Sequence, residues 1–378
     1  MDPCSTDRTY RRVVHSVLDN RERPLQEKCL RTTAILDALF CVQTMKDSSK
    51  SREWSILNRI YKDCKTISKG PGKSSVCVGM GDDAALWRPR DGCDAILTCD
   101  WFLEGTHFLA DRHPPEVVGY KCLARAISDV AAMGGEPRCF LLSLALPNSH
   151  TDKWLNRFLH GLRKASHALG CPIAGGDTTQ RSEILINITV VGEAARDIAI
   201  LRSAAHPGDA LFVTGRLGEA QYGLQLLLDN SKRITPDDPR LGKHFYPQPR
   251  LGVGQWLAKQ RLATAMMDLS DGISSDLPKL CEASGVGACL HERALPLVKI
   301  HQKDRRKKFN TIDLALHGGD DYELLFTVAS KNVAQIPKAI ARVPVTRIGE
   351  ITADKRVILA RQNGDVSRLQ NKGWDPFR

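Results

Sequence analysis

Apolar positions along this chain keep two rhythms that take turns. From Glu53 to Lys65 they fall at helical spacing, with Ile56, Leu57, Ile60 and Tyr61 on one face, which predicts an amphipathic helix. Pro115–Met133 predicts a second helix: Leu123, Ile127 and Val130 form its stripe, proline suits the first turn, and Gly134-Gly135 ends it. Small residues (Ala124, Ala126, Ala131, Ala132) line the same segment, so another backbone can approach closely. Thr151–Leu169 is a third amphipathic helix. Between the helices lie short runs of strand character at Val76–Val78, Ala95–Asp100, Phe140–Leu146 and Ile184–Val191. In Ala95–Asp100 a period of two puts Ile96, Thr98 and Asp100 on one face and Leu97 and Cys99 on the other, with Asp100 at the strand end.

The alternation resumes after a turn at Ala205–Asp209. Leu211–Thr214 reads as a strand, and Leu217, Ala220, Leu224 and Leu227 mark the helix behind it. Met266–Asp268 ends a strand, Leu277–Ala283 is helical, and Glu323–Val328, Arg347–Ile351 and Arg356–Leu359 are later strands. This order predicts an α/β (α+β) class with two domains, over 51–200 and 201–378. Residues 1–50 differ: they have seven acidic residues and no glycine, and read as a poorly ordered extension without chemistry, with translation from Met45 as the alternative. Asp229–Pro249 reads as a long polar loop, and Lys303–Lys308 as a solvated one.

Composition narrows the function classes. With 42% hydrophobic and 26% charged residues in 378, the chain reads as a soluble globular protein. No apolar run reaches the length of a membrane span, and no signal-peptide pattern opens the chain. Twelve cysteines without a CxxC spacing read as reduced thiols of a cytoplasmic protein. The net charge of +11 raises nucleic acid as a partner. However, Lys and Arg are dispersed, no aromatics interleave with them, and the acids gather in Gly-Asp clusters, so nucleic acid is not expected.

Those clusters carry the chemistry. VGMGDDAAL at Val78–Leu86 sets two adjacent acids, Asp82 and Asp83, in an apolar context beside a glycine-flanked turn. Four more follow, at Thr98–Asp100, Ser128–Asp129, Gly175–Asp177 and Asp268–Gly272. Convergent carboxylates repel, by roughly 4 kcal/mol per pair at ~4 Å and an effective dielectric of about 20, unless cations offset them. Mg²⁺ takes carboxylate oxygens and keeps positions open for phosphate. Glycines beside the acids let backbone N–H groups approach a polyphosphate. No GxxxxGK[ST] and no GxGxxG occurs, so a nucleotide would be held mainly through metal-bridged phosphates.

VGMGDDAAL, TCDWFLEGTHF, GYKCLARAISDVAAMGGEP, GGDTT, DLSDGISSDL and GGDDYELLFTV occur in this order, and together they resemble the thiamine-monophosphate kinases, within the aminoimidazole-ribonucleotide-synthetase-like superfamily. The resemblance covers roughly residues 53–378. It implies two α/β domains, a homodimer formed through the first domain's sheet, and direct transfer of the ATP γ-phosphate to thiamine monophosphate. Matching positions imply Mg²⁺ ions, several of them, near Asp82, Thr98, Cys99, Asp100, Asp129, Asp177, Asp268 and Asp271; at Cys99 only the backbone carbonyl could reach a metal. They imply ATP contacts from Gly176, Arg202 and Ser270, and contacts to the thiamine end from His107, Asp320 and Trp374. No nucleophile is needed, because the acceptor is already a phosphate, so Asp129 and Asp271 stand as electrostatic candidates. Position 320 is Asp where the family pattern more often has Glu, which shortens its reach by one methylene. Two stretches, 229–249 and 301–310, look expanded and could rim the site. Rival readings are another ATP-dependent enzyme of the superfamily, or a non-catalytic nucleotide or metal sensor on the same fold.

Overall fold

The computed structural model describes residues 52–64, 76–80, 83–229 and 235–377. The extension 1–50, with Met45, and the expected ligand Asp82 lie outside the described residues. The first half contains α1 (Arg52–Cys64), β1 (Val76–Val78), β2 (Leu86–Trp87), β3 (Cys93–Leu103), α2 (Pro115–Ala132), β4 (Glu136–Leu146), α3 (Lys153–Leu169), β5 (Ile173–Gln180) and β6 (Leu185–Ala195). β3, β6, β4 and β5 form one sheet in that order, antiparallel except for the parallel pair β4–β5. Its inner face packs on α2 and α3 through Ile96, Phe102, Leu142, Leu144, Ile186 and Ile188.

The second half has β7 (Ala210–Thr214), α4 (Glu219–Leu228), α5 (Gly242–Phe245), α6 (Leu251–Gln260), β8 (Ala263–Asp268), α7 (Ile273–Ser284), β9 (Gly287–His291), α8 (Thr311–His317), β10 (Leu324–Val328), β11 (Ala339–Ile340), β12 (Val343–Thr352), β13 (Val357–Ala360) and β14 (Val366–Arg368). Its sheet runs β14-β13-β9-β12-β7-β10-β8, with β11 paired to β12. In β7 and β10 every residue is buried, as in strands covered on both faces.

Three expectations change. Asp100 lies inside β3, not at its end, because the whole of Cys93–Leu103 pairs in unbroken register with Leu185–Ala195. The stretch 229–249 is not a plain loop: Pro239–Leu241 makes a 3₁₀ turn, α5 follows, and Leu241, His244 and Phe245 are buried against α4 and Val117. The basic run is not wholly solvated either. Gln302–Lys307 is a 3₁₀ turn that buries Asp304, which accepts from Tyr222 Oη at 2.5 Å and Arg240 Nη1 at 2.7 Å.

α2 positions the site. It is buried nearly all round, where the sequence pattern predicted one stripe. The small residues explain how. A Cβ on Gly161 of α3 would run into the Glu116 carbonyl, and one on Gly254 of α6 into the Ala131 carbonyl. Both neighbouring helices therefore approach at backbone distance, and α6 belongs to the second half. α2 is thus packed between the two sheets, and residues on its remaining face look into the cleft where the halves meet.

Candidate functional site

Four carboxylates reach that cleft from both halves: Asp100 on β3, Asp129 on α2, Asp268 at the end of β8, and Asp271 in the loop before α7. Thr98, two residues from Asp100 and on the same face, donates from Oγ1 to Asp129 Oδ2 at 2.5 Å. Burial raises the Asp100 pKa above the usual carboxylate range; Arg125 opposes this, while the charges of Asp129 and Asp271 add to it. Asp268 is pushed up to about 7, by burial first and then by Asp129. Asp276 and Asp100 add to the same effect. The four acids therefore sense one another. Among the described residues only Asp271 of the four has a cation in contact, Lys279 Nζ at 2.6 Å, which Asp276 shares at 2.9 Å.

The loops that carry these acids need glycine for close approach. Gly272 has φ 97°, and a Cβ there would lie 2.8 Å from the Gly318 carbonyl oxygen. A Cβ on Gly319 would lie 2.7 Å from the Ser270 carbonyl oxygen. In the observed packing Asp320 N–H donates to that Ser270 oxygen at 2.8 Å, and Trp374 N–H donates to the Asp271 carbonyl at 3.0 Å. DLSDG, GGDDY and the C-terminal segment are thereby laid against one another.

His107, Asp320 and Trp374 gather at this end of the cleft. The His107 and Trp374 rings are 6.4 Å apart. Leu103 N–H donates to His107 Nδ1 at 3.1 Å, so the neutral ring carries its proton on Nε2. Burial, helped by Arg125, lowers the His107 pKa to about 4. Asp320 sits in the left-handed region at φ 67°. Its Oδ2 accepts from Lys121 Nζ at 2.7 Å and its Oδ1 from Tyr322 Oη at 2.9 Å. Burial alone would raise its pKa, but Lys121 and Arg125 hold it well below the usual range. Lys121 Nζ also lies 3.3 Å from His244 Nδ1, and His244 Nε2 lies 3.0 Å from His113 Nε2.

The remaining expected residues lie apart from this group. Gly176 and Asp177 are exposed on β5. Asp177 is in register with the exposed Ser143, so it lies on the outer face of the first sheet. Together with Gly79, Met80 and Asp83 they line a cleft of about 730 Å³. Gly176 is obligatory there, since a Cβ would run into the Leu142 carbonyl. Cys99 also faces outward, 3.1 Å from Asn187 Nδ2, so its thiol points away from Asp100. Arg202 is exposed, and its carbonyl accepts from Ser284 Oγ at the C-terminal end of α7. The DLSDG loop is at the other end of that 12-residue helix, about 18 Å away along its axis. Of the expanded stretches, 229–249 does reach the cleft, through Lys243 and His244. The 301–310 stretch packs outside it on Tyr222 and Arg240.

Sequence reasoning missed Lys121, Arg125 and Tyr322. A signal was present: Lys121, Arg125 and Asp129 are four residues apart and so share one face of a helix. The apolar stripe drew attention to the opposite face.

The donor set fits a hard divalent cation. It offers carboxylate and hydroxyl oxygens only, and its mutually repelling acids, Asp268 buried and the other three half-buried, lack a full complement of protein cations among the described residues. Among the described residues no three His, Cys, Asp or Glu side chains close tightly round one point. The oxygens instead line a cleft wall, which suits an ion that keeps waters and substrate phosphates in its shell. No described helix is long and apolar enough to cross a membrane.

Residues 81–194 match the family described as AIR synthase related protein, N-terminal domain, and residues 206–361 match AIR synthase related protein, C-terminal domain. The chain is 36% identical to the thiamine-monophosphate kinase of Bacillus subtilis (strain 168), over 81% of this chain and 95% of that protein. The crystal structure of thiamine-monophosphate kinase from Stenotrophomonas maltophilia K279a superposes with a TM-score of 0.70 at 31% identity, covering 83% of this chain and 98% of that one. A solved structure described as AaThiL complexed with AMPPCP and TMP superposes with a TM-score of 0.67 at 29% identity, covering 88% and 99%.

Proposed function

The chain belongs to the thiamine-monophosphate kinase family, and on that premise we propose that it transfers the γ-phosphoryl group of ATP to thiamine monophosphate, giving thiamine diphosphate and ADP. The observation that carries this reading is the convergence of Asp100, Asp129, Asp268 and Asp271 from both halves of the fold, directly beside His107, Asp320 and Trp374.

An oxygen of the acceptor phosphate forms the new P–O bond, and the bond from the γ-phosphorus to the β–γ bridging oxygen breaks, with ADP leaving on that electron pair. Positioning and electrostatics carry such a transfer, so no protein nucleophile is required. Asp100, Asp129, Asp268 and Asp271, with the Thr98 hydroxyl, are the proposed Mg²⁺-holding groups of the inner wall. Asp82 and Asp177, together with the Cys99 carbonyl, are the proposed ones nearer the nucleotide. Mg²⁺ supplies neutralisation of the phosphate charges there. Asp129 and Asp271 act electrostatically. Gly176 offers backbone approach to the polyphosphate, while Ser270 and Arg202 are the further proposed ATP contacts. At the acceptor end Trp374 offers a π-face to the cationic thiazolium. Asp320 offers an anion and His107 a neutral N–H donor.

The working form we propose is a cytoplasmic homodimer. The outer face of the first sheet supports it: Leu97 and Trp101 are 71% and 55% exposed there, beside Leu141 at 37%. The proposed organisation is the extension 1–50, an ATP- and Mg²⁺-binding domain over 51–200, and an α/β domain over 201–378.

The test is conversion of thiamine monophosphate to thiamine diphosphate by the full chain with ATP, with and without Mg²⁺, alongside Asp129→Asn. Product formed only by wild type with Mg²⁺ supports the proposal. ADP without thiamine diphosphate shows the acceptor to be wrong, and neither product from folded protein favours the sensor reading.

A further inference from the structure

The cations of the cleft differ in how far the protein has used them. Lys121 Nζ is committed to Asp320 at 2.7 Å and to His244 at 3.3 Å. Lys279 is committed to Asp271 and Asp276. Arg125 is different: among the described residues no carboxylate stands within ion-pairing distance of its guanidinium. One of its nitrogens, Nη1, donates to the Trp101 carbonyl at 3.2 Å. Its Nε is buried and has no acceptor among the described residues. A buried donor of a charged group left unpaired costs free energy, so such a group needs a reason.

Its orientation is fixed without using up its charge. The guanidinium carbon lies 5.1 Å over the Phe102 ring, and Phe102 stacks on Phe108 with centroids 5.0 Å apart. Stacking holds the plane of the fork and leaves edge N–H groups for a ligand, which is the geometry that suits a phosphate.

Its place along α2 says which phosphate. Lys121, Arg125 and Asp129 follow one another at four-residue steps, each a rise of about 6 Å. Lys121 holds the acceptor-end carboxylate Asp320, and Asp129 belongs to the acidic wall. Arg125 stands at the step between the two on the helix, within the influence of Asp100, of Asp320 and of the Tyr322 hydroxyl, which takes one hydrogen bond from it. In a bound acceptor the phosphate ester must also lie between the thiazolium end and the transferred group.

We propose that Arg125 binds the phosphate monoester of the acceptor substrate and makes the site discriminate against an unphosphorylated alcohol. This rests on the kinase reading above. The acidic wall repels a phosphate dianion, and Arg125 is the protein cation placed to offset that repulsion at the acceptor side.

The test measures binding of thiamine monophosphate and of thiamine to the full chain with Mg²⁺ by calorimetry, together with kcat and KM, for wild type, Arg125→Met and Arg125→Lys. Charged hydrogen bonds of about 1.5–3 kcal/mol predict that Arg125→Met weakens thiamine monophosphate roughly 10- to 100-fold. Thiamine binding and the KM for ATP should not change, and Arg125→Lys should recover part of the loss. Thermal unfolding of each variant reports folding, and Arg125→Lys carries the test if Arg125→Met does not fold. An unchanged preference for the phosphorylated ligand overturns the assignment, and so does an equal loss of both ligands, which marks a packing role. Wild type that binds neither ligand and makes no thiamine diphosphate overturns the kinase reading itself.

Discussion

Two carboxylates at one end of the second sheet make opposite use of nearly the same surroundings. Asp268 closes β8 and pairs in register with Leu324, and Glu323 is the residue just before it. Glu323 is fully buried and Asp268 is 4% exposed. Glu323 accepts from Lys243 Nζ at 2.6 Å, from Thr214 Oγ1 at 2.6 Å, and from both Nε and Nη2 of Arg250 at 2.6 and 2.5 Å. Burial would raise its pKa, yet these partners bring it below the ordinary value. Asp268 has no protein cation in contact among the described residues, and burial with Asp129, Asp276 and Asp100 drives it up to about 7. One acid is neutralised by the fold and serves the fold. The other is left for something that binds. Burial of a carboxylate alone does not mark a functional site; burial without a protein counter-charge does so far better.

Glu323 should respond most strongly to substitution. Glu323→Gln leaves the half-buried Lys243 and Arg250 without their counter-charge, and breaking a buried pair costs at most about 3–5 kcal/mol. Chemical denaturation should show that loss, and a variant as stable as wild type would remove the structural half of the argument. Asp268→Asn should do the reverse. Turnover should fall roughly 10²–10³-fold, as when one preorganised electrostatic contact is lost, while the unfolding midpoint in the absence of metal stays level or rises because a repelling charge is gone.

Mg²⁺ sharpens the same contrast. A ligand at about 100 times its Kd stabilises the folded state by about 2.7 kcal/mol, so wild type and Glu323→Gln should gain from saturating Mg²⁺ and Asp268→Asn should gain less. Equal gains in all three would show that the cation binds away from the acidic wall.

The smallest effect concerns the buried histidines behind Asp320. Burial and Lys121 lower His113 to about 4 and hold His244 well below its ordinary value, against about 6.5 in the unfolded chain. Between those values the unfolded chain binds more protons than the folded one. The stability from keeping these rings neutral is therefore complete above about pH 6.5 and is lost as the pH falls toward 4. His113→Asn should flatten that fall relative to wild type in unfolding midpoints measured from pH 7 to 5. Parallel curves would show that His113 does not titrate in this window.

Much of the fold could be read from the chain because it is local. The stripe in Pro115–Met133, the alternation in Ile184–Val191 and the turn at Ala205–Asp209 each depend on neighbours within a few residues. Element ends were less legible. β3 runs on to Leu103 because its partner strand does, and that partner is some ninety residues away in sequence. The segment 239–245 is ordered by burial of Leu241, His244 and Phe245 in a groove that no local pattern announces.

For the site, the order of residues along the chain already shows the inventory: acids beside glycines, in an order that marks the family, because close loop packing and phosphate chemistry both demand those residue types. How the inventory is divided depends on the packing of distant segments. That packing set Asp100, Asp129, Asp268 and Asp271 against one another, and put Asp177 on the other face of the sheet and Arg202 at the far end of α7. It also drew Lys121 and Arg125 into the cleft by burying the rest of α2. A charge's role depends on which counter-charges lie within a few ångströms, and that distance is fixed by packing between segments that the sequence keeps far apart.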